Sequence, residues 1–183
     1  MILVQLHMAK DYETYEGRRV YVAATSYQLS QETDRARGGK ESPYVVRIPD
    51  GATAVKSGAF YLESDIGTVL IPDSVKLIGE NAFDYCKKLT TVIFGSSVTS
   101  IMEDAFCDCE SLADVNLPDS LVRIRDRAFS GCEKLTGIRI PGSVTFIGED
   151  AFEGCDNLKE VYIKRPELLE EAGLSEDVRI ITD

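Results

Sequence analysis

A spacing of 23 residues recurs through most of this chain and limits its possible folds more than any other feature. The pair Ala82-Phe83 returns three more times at that spacing, and a cysteine follows three residues after each phenylalanine. A fixed period of about 20–50 residues is typical of solenoids, in which each repeat buries its apolar face only by stacking on its neighbours. The sequence therefore predicts a stack of similar turns.

The repeat can be followed through five copies, which are residues 48–70, 71–93, 94–116, 117–139 and 140–162. The first copy begins at Ile48-Pro49, 23 residues before Ile71-Pro72. It has Glu63 where the later copies have cysteine. We interpret Glu63 as the mark of a first repeat, whose turn borders a cap instead of two cysteine-bearing turns.

The apolar spacing within each repeat predicts two short extended segments and a turn. Leu89, Val92 and Phe94 follow the pattern L-x-x-L-x-L, which directs three apolar side chains inward from a strand. The residues between them alternate outward. Val75 and Ile78 indicate a second extended segment. The seven residues that end in the cysteine can make one helical turn, with their phenylalanine in the core.

The segments on either side of the repeats are expected to cap the solenoid, because the apolar faces of terminal repeats would otherwise meet water. Residues 1–47 are predicted to form an N-terminal β cap and linker, with strands at 2–8 and 18–24. Residues 163–183 are predicted to form a C-terminal cap. This cap has a short helix that begins at Pro166 and stops at Gly173, followed by a last strand at 178–182.

The assembled motif, I-P-x-S-V-x-x-I-x-x-x-A-F-x-x-C-x-x-L-x-x-V-x over residues 48–163, resembles the BspA-type leucine-rich repeat family. The resemblance implies an α/β fold: a leucine-rich-repeat solenoid, built as a curved right-handed stack of short strands and helical turns between two caps. It also implies adhesion or protein binding on bacterial surfaces, and it implies no catalytic residues. One repeat has Phe94-Gly95 in place of Ile-Pro, which leaves the frame intact.

Charge and hydropathy exclude several classes of partner. The net charge is −11, and an acidic body repels nucleic acid and anionic lipid. No apolar run approaches the roughly 20 residues of a membrane span, so membrane insertion is not expected. The first seven residues lack a basic segment and a long apolar core, so they do not predict a signal peptide. Two locations stay open: the cytoplasm, or the cell surface after an earlier signal has been removed.

The cysteines are predicted to be structural. Cys86, Cys109, Cys132 and Cys155 stand at equivalent positions of stacked turns, so their Cβ atoms should lie about 4.8 Å apart, beyond the ~3.8 Å usual for a disulfide. We expect these four thiols to be reduced and buried. Cys107 lies outside this column and is the expected exposed, reactive thiol. Because Cys107-Asp108-Cys109 has neither a second cysteine pair nor a nearby histidine, we expect no metal ion and no cofactor.

Two further sets of residues suggest chemistry that a structural role explains better. His7 is the only histidine and falls in the expected cap, so a Cys-His or Ser-His pair is not expected and the chain is not predicted to be an enzyme. A column of acidic residues suggests calcium. However, each acid precedes the predicted helical turn, where its charge would meet exposed N–H groups. The column is Glu80, Glu103, Asp126 and Glu149.

The outward positions of the strand are the expected binding surface. They differ in chemistry from repeat to repeat, whereas the inward positions barely vary. One column is Thr68, Thr91, Asp114, Gly137 and Glu160, and the other is Leu70, Ile93, Asn116, Arg139 and Tyr162. We predict that a protein partner contacts Thr91, Ile93, Asp114, Asn116, Arg139, Glu160 and Tyr162. Tyr and Arg most often anchor interfaces, so Arg139 and Tyr162 are the predicted anchors.

Two alternatives to this surface stay open. Arg123, Arg125 and Arg127 form a cationic patch on the second extended segment, which could attract an acidic partner or could neutralise neighbouring carboxylates. The alternative function is a carbohydrate-binding surface adhesin. Such a surface would need aromatic platforms, and the outward columns provide only Tyr162.

Overall fold

The computed structural model of the 183-residue chain describes residues 14–15, 18–22 and 43–182. The described residues form a solenoid in which strands from successive repeats lie side by side. This architecture confirms the fold expected from the repeat period. The strand predicted at 2–8 lies outside the described residues. Within the described part of the chain, no helix has the length and apolar character needed to cross a membrane.

One set of strands forms what we call the strand ladder. With strands numbered along the whole chain, these are β1 (Thr14–Tyr15), β2 (Arg18–Val22), β3 (Tyr44–Arg47), β5 (Ile66–Leu70), β7 (Thr91–Ile93), β9 (Asp114–Val115), β11 (Gly137–Arg139), β13 (Glu160–Tyr162) and β14 (Arg179–Ile181). Strands of neighbouring repeats pair in parallel, as at Thr68↔Thr91 and Val92↔Val115. The strand predicted at 18–24 is present as β2, which pairs in parallel with β3 and antiparallel with β1.

A second parallel ladder consists of strands of two residues each. They are β4 (Ala54–Val55), β6 (Leu77–Ile78), β8 (Ser100–Ile101), β10 (Arg123–Ile124) and β12 (Phe146–Ile147). The strands pair in chain order, and the second residue of each is a buried valine or isoleucine. This ladder confirms the second extended segment predicted from the apolar spacing.

Five phenylalanines form one continuous column in the core. Each ring is at most 1% exposed, and neighbouring ring centroids lie 5.1–5.8 Å apart with planes within 6° of parallel. The column is Phe60, Phe83, Phe106, Phe129 and Phe152. Its burial confirms the predicted position of this side chain in the repeat, and it shows that every turn packs directly on the next.

Each cysteine of the column directs its thiol at the backbone of the preceding repeat. Cys109 Sγ donates to the carbonyl oxygen of Phe83 at 3.2 Å, and that oxygen also accepts the N–H of Cys86 at 3.1 Å. The other three thiols make equivalent bonds of 3.2–3.3 Å. A carbonyl oxygen has two lone pairs, so the thiol satisfies the one that the turn leaves open. Glu63 fits this account, because the repeat pattern has no phenylalanine-bearing turn before it.

The turn that carries the phenylalanine differs from the helical turn predicted. Its N–H groups alternate in direction: Asp84 N–H donates to Asn81 O within the turn, whereas Phe83 N–H donates to Ala105 O of the next repeat at 2.9 Å. Two positions of the turn have positive φ, as at Asn81 (53°) and Tyr85 (61°). Left-handed residues interrupt a right-handed helix. The turn is therefore held partly by the next repeat and not by its own bonds alone.

The strand ladder divides between β9 and β11. The strands from β1 to β9 form one six-stranded sheet, and β11, β13 and β14 form a separate three-stranded sheet. Asp114, Asn116 and Gly137 lie at this division, and all three are residue types depleted in strands. The core continues beneath it, since Val115 and Ile138 are both buried. The pairing of the strands is thus interrupted where the inner packing is not.

The segment after the last repeat continues the solenoid. Strand β14 pairs in parallel with β13, in agreement with the last strand predicted. The predicted helix is wrong in extent and type, because only a 3-10 helix of four residues forms, Pro166–Leu169. Beyond it, Ala172 is buried and its carbonyl oxygen accepts the N–H of Phe152 at 2.9 Å. This segment therefore covers the phenylalanine of the last repeat with backbone and a small side chain.

Candidate functional site

The seven residues predicted to bind a partner lie on the outer side of the strand ladder, and we call this set the ladder face. Asp114, Asn116 and Arg139 are exposed, and Ile93 is 41% exposed. The remaining members are half-buried: Thr91, Glu160 and Tyr162. Thr68, in the same outward column, is only 7% exposed, so the outward column is accessible only from the second repeat onward.

Register and hydrogen bonds bring the C-terminal members of the ladder face together. Arg139 lies directly opposite Tyr162 on the neighbouring strand. The Tyr162 hydroxyl donates to Glu160 Oε2 at 2.7 Å, and Arg179 Nη2 donates to Glu160 Oε1. The hydrogen bond from Tyr162, and to a smaller extent the one from Arg179, holds the pKa of Glu160 below its usual value. Glu160 is thus an anionic centre that orients the Tyr162 ring.

The division of the strand ladder separates the ladder face into two groups. Thr91 pairs with Asp114 on one sheet, with Ile93 and Asn116 beside them. The second group, on the other sheet, is Arg139, Glu160 and Tyr162. The repeat pattern predicts one continuous ladder for these residues, whereas the structure divides it. The low strand propensity of Asp114, Asn116 and Gly137 was the signal that could have indicated it.

The three arginines of the alternative patch do not form one cationic surface. Arg127 donates to both carboxylate oxygens of Asp104, at 2.8 and 2.7 Å, and lies 3.4 Å from Glu103. The guanidinium of Arg125 lies over the Phe146 ring, 5.3 Å from its centroid. Arg123 is exposed on β10. We therefore keep only Arg123 and Arg125 as the arginine patch.

The acidic column does not have the role predicted for it. The N–H groups that the carboxylates were expected to meet are occupied by backbone carbonyls of the next repeat, as in the 3.0 Å bond from Asn81 N–H to Glu103 O. The four carboxylates are exposed. One of them, Asp126, accepts the N–H of Glu149 at 3.3 Å. Because the turn is not helical, the explanation by a helix N-terminus is wrong.

The described residues hold one group of three side chains whose potential metal-ligating atoms all lie within 4.8 Å of one another: Asp84, Cys107 and Asp108. Asp84 is 6% exposed and its Oδ1 has no hydrogen-bond partner. The pKa of Asp84 is raised to about 6, mainly by burial and further by the negative charges of Asp104 and Asp108. This group is not among the residues that we predict from the sequence, although Asp84 and Cys107 are 23 residues apart, at the same position of consecutive repeats.

Cys107 is less reactive than the sequence predicted. It is the most accessible of the five cysteines, but it is half-buried and not exposed. Its pKa is raised to about 12, mainly by burial and further by the neighbouring carboxylates of Asp108, Asp84 and Asp104. Since the thiolate is the nucleophile, Cys107 should react slowly at neutral pH. The four column cysteines are buried, as predicted.

Known proteins place the chain in a family. The model of the BspA type leucine-rich repeat region matches residues 46–171 in six copies, which extends past the fifth repeat into the C-terminal segment. The T. pallidum leucine-rich repeat protein (TpLRR) is 32% identical, with a TM-score of 0.68 over 75% of this chain and 68% of that protein. A leucine rich cell surface protein from Faecalibacterium prausnitzii is 31% identical, with a TM-score of 0.66 over 90% of this chain and 41% of that protein.

A leucine-rich repeat protein from Bacteroides ovatus is 30% identical, with a TM-score of 0.60 over 67% of this chain and 40% of that protein. The chain thus spans about two fifths of the length of two of these three relatives. A comparison with curated proteins gives no significant match. The family match covers most of the chain and agrees with the stacked strands, the phenylalanine column and the cysteine column. The chain belongs to the BspA-type leucine-rich repeat family.

Proposed function

We propose that the ladder face is a protein-binding surface and that the chain is a non-catalytic interaction module. The observation that supports this proposal is the contrast between the two sides of the strand ladder. The inward residues of neighbouring strands are buried and alike, as with Val69 and Val92. The outward residues present apolar, amide, cationic, anionic and aromatic groups, a variety that the packing of the repeats does not require. Stacked repeats hold such groups on a rigid, extended surface.

The C-terminal group of the ladder face has the composition of an interface anchor. Arg139 and Tyr162 face each other across two strands, and Glu160 fixes the Tyr162 hydroxyl at 2.7 Å. A ring held in place loses little conformational freedom when a partner packs on it. An aromatic ring and an arginine side by side match the residue types that carry most binding energy in protein interfaces. Ile93, which is 41% exposed, adds an apolar group in the other part of the ladder face.

A role in bacterial adhesion or host interaction is supported by the relatives. The protein from Faecalibacterium prausnitzii is described as a cell surface protein, and it is 31% identical to this chain. Because this chain spans 41% of that protein, the relative carries sequence outside the compared solenoid. Adhesion by this chain is therefore a proposal that rests on family membership and on the ladder face together.

The test is a partner search followed by paired variants. The immobilised full chain is exposed to host-surface proteins, and the captured protein is measured against two double variants, Arg139→Ala/Tyr162→Ala and Arg123→Ala/Arg125→Ala. Loss of a central anchor costs about 2 kcal/mol or more, so the first variant should bind roughly 30-fold more weakly or worse. The second should bind like the unmodified chain.

Matched circular dichroism spectra and urea midpoints must show that both variants are folded. Weakened binding in the arginine-patch variant alone would place the site on the second ladder and refute the proposal. If a glycan array, and not a protein, retains the chain and Tyr162→Ala abolishes that binding, the carbohydrate-binding adhesin is the better account.

A further inference from the structure

We infer that Asp84, Cys107 and Asp108 form a binding site for a zinc-type divalent cation between the second and third repeats. The site is separate from the ladder face, since it lies on the turns that carry the phenylalanines. It does not depend on the function proposed above. Three ligand side chains converge here, and one of them has a buried oxygen without a hydrogen-bond partner.

The stacking of the repeats brings the three side chains together. Asp84 and Cys107 occupy the same position of consecutive turns, and Asp108 follows Cys107 directly. Backbone bonds fix this register, because Tyr85 N–H donates to Cys107 O at 2.9 Å. The left-handed conformation of Asp108, with φ of 51°, turns the chain at this point. The site is therefore built on turns whose register is held by hydrogen bonds between neighbouring repeats.

The separation of the ligand atoms suits one small cation. Their Sγ and carboxylate oxygens all lie within 4.8 Å of one another. Two ligands of a tetrahedral zinc ion, at about 2.0–2.3 Å from the metal, lie about 3.3–3.8 Å apart. The largest separation exceeds this range by about 1 Å. We infer that rotation of the half-buried side chains of Cys107 and Asp108 closes this gap.

The unpartnered carboxylate oxygen of Asp84 is an independent sign that a cation binds here. Its side chain is buried, with 6% exposure, and Oδ1 has no hydrogen-bond partner. It is the only buried side-chain nitrogen or oxygen without a partner among the described residues. Buried polar atoms are almost always satisfied, and an orphan calls for a reason such as an ion. A cation held by Asp84 and Asp108 would satisfy this oxygen and neutralise both carboxylates.

The nearby protein cations are already paired with other acids. Arg127 makes its two bonds to Asp104, at 2.8 and 2.7 Å. Lys87 Nζ lies 2.6 Å from Glu110 Oε1. Their charges reach Asp84 and Asp108 only at longer range. The local charge around Asp84, Cys107 and Asp108 is therefore negative overall, which favours a divalent cation.

The donor set indicates which cations are bound. One sulfur and two carboxylate oxygens suit Zn²⁺ or a similar transition metal, whereas Ca²⁺ and Mg²⁺ take oxygen ligands alone. Zn²⁺ would bind the Cys107 thiolate, and the thiol proton would pass to the buffer. The half-buried position of Cys107 and Asp108 leaves the fourth coordination position open to water. At this position the other repeats have Tyr61, Ser130 and Glu153, so the ligand set occurs once in the solenoid.

The test measures metal binding to the reduced full chain, kept in a phosphine reductant, by calorimetry with Zn²⁺ and by absorption with Co²⁺. We expect one high-affinity Zn²⁺ per chain and a thiolate-to-cobalt charge-transfer band. Asp84→Asn and Cys107→Ser should each weaken Zn²⁺ binding by at least about 10-fold, because even loss of an outer partner of a metal ligand typically costs about 10–100-fold. The band should disappear in Cys107→Ser.

The matched control is Glu153→Gln, which removes one charge at the same position of the fifth repeat. It should leave both readouts unchanged. Absence of Zn²⁺ binding would overturn the inference and would mean that Asp84 satisfies its oxygen by holding a proton. Binding that survives both Asp84→Asn and Cys107→Ser would also overturn it, since the ion would then lie elsewhere, for example at His7. Circular dichroism confirms that each near-isosteric variant is folded.

Discussion

Replacing Phe106 by alanine should destabilise the solenoid more than the same change at Phe152, although both rings are almost fully buried. Phe106 stacks on Phe83 at 5.2 Å and on Phe129 at 5.4 Å, and it meets Phe94 edge-on at 5.9 Å. Among the described residues, Phe152 contacts one ring only, that of Phe129 at 5.8 Å. Phe106 thus loses two more aromatic contacts than Phe152 does.

The magnitude follows from these contacts. Truncation of a buried phenylalanine costs about 3–5 kcal/mol, and each aromatic pair contributes about 0.5–1.5 kcal/mol beyond its buried area. Phe106→Ala should therefore cost about 5 kcal/mol and Phe152→Ala about 3 kcal/mol of the free energy of unfolding. Position also matters, because a solenoid is stabilised by contacts between neighbours. The loss at Phe106 weakens the link between the two halves, whereas the loss at Phe152 weakens one end.

Urea unfolding followed by circular dichroism gives the two free energies, and hydrogen exchange shows where protection is lost. Phe106→Ala should lower protection on both sides of the third repeat, and Phe152→Ala only in the fifth repeat and the segment after it. Tyr61→Ala is the control: Tyr61 is 46% exposed, and its loss should cost less than about 1 kcal/mol. Equal costs for the two phenylalanines, or a larger cost at Phe152, would refute the role assigned to the ring column.

Three further outcomes can be measured on the same protein. In metal-free protein the pKa of Asp84 is raised from 3.8 to about 6. The folded chain therefore binds this proton more tightly than the unfolded chain does. The contribution of Asp84 to the free energy of unfolding consequently falls as the pH rises through this range. Asp84→Asn should therefore be about 1–2 kcal/mol more stable than the unmodified chain near pH 7.5, once solvent screening is allowed for, and should lose that advantage near pH 4 in urea titrations. A thiol reagent should label Cys107 first but slowly, and it should label the four column cysteines only after denaturation. Mass spectrometry follows the labelling, and early labelling of a column cysteine would contradict the burial of these four thiols. Asn81 has φ of 53°, so Asn81→Gly should leave the free energy of unfolding nearly unchanged, whereas Asn81→Val should lower it by about 1–3 kcal/mol. An unchanged urea midpoint in the valine variant would show that the turn relaxes.

The stack itself could be predicted because the same apolar positions recur in every repeat. A side chain such as Phe83 must point into the core, because its equivalents in the neighbouring repeats lie directly above and below it. The turn was harder, since its shape depends on bonds to the next repeat and on residues with positive φ. Gly58, Asn81 and Asp104 stand at one such position, and these residue types tolerate a left-handed backbone better than others. Their recurrence was the available signal.

The candidate metal site was missed for a different reason. Cys107 was compared with Cys109, its neighbour in sequence, whereas stacking places it beside Asp84 of the preceding repeat. The division of the strand ladder depends on a balance between weak strand formers such as Gly137 and a core that remains packed beneath them. The weak strand formers indicate where such a division can occur, but tertiary packing decides whether it does.

The bond from each column thiol to a phenylalanine carbonyl also bears on where this protein can function. The thiolate is the form that attacks oxidants and disulfides, and burial raises the pKa of Cys155 to about 12. At neutral pH only about one Cys155 thiol in 10⁵ is then ionised. Burial raises the pKa of Cys86, Cys109 and Cys132 as well. A chain with unpaired cysteines normally suits a reducing compartment, but buried thiols that are not ionised react slowly with oxidants, so oxidising surroundings would affect them little.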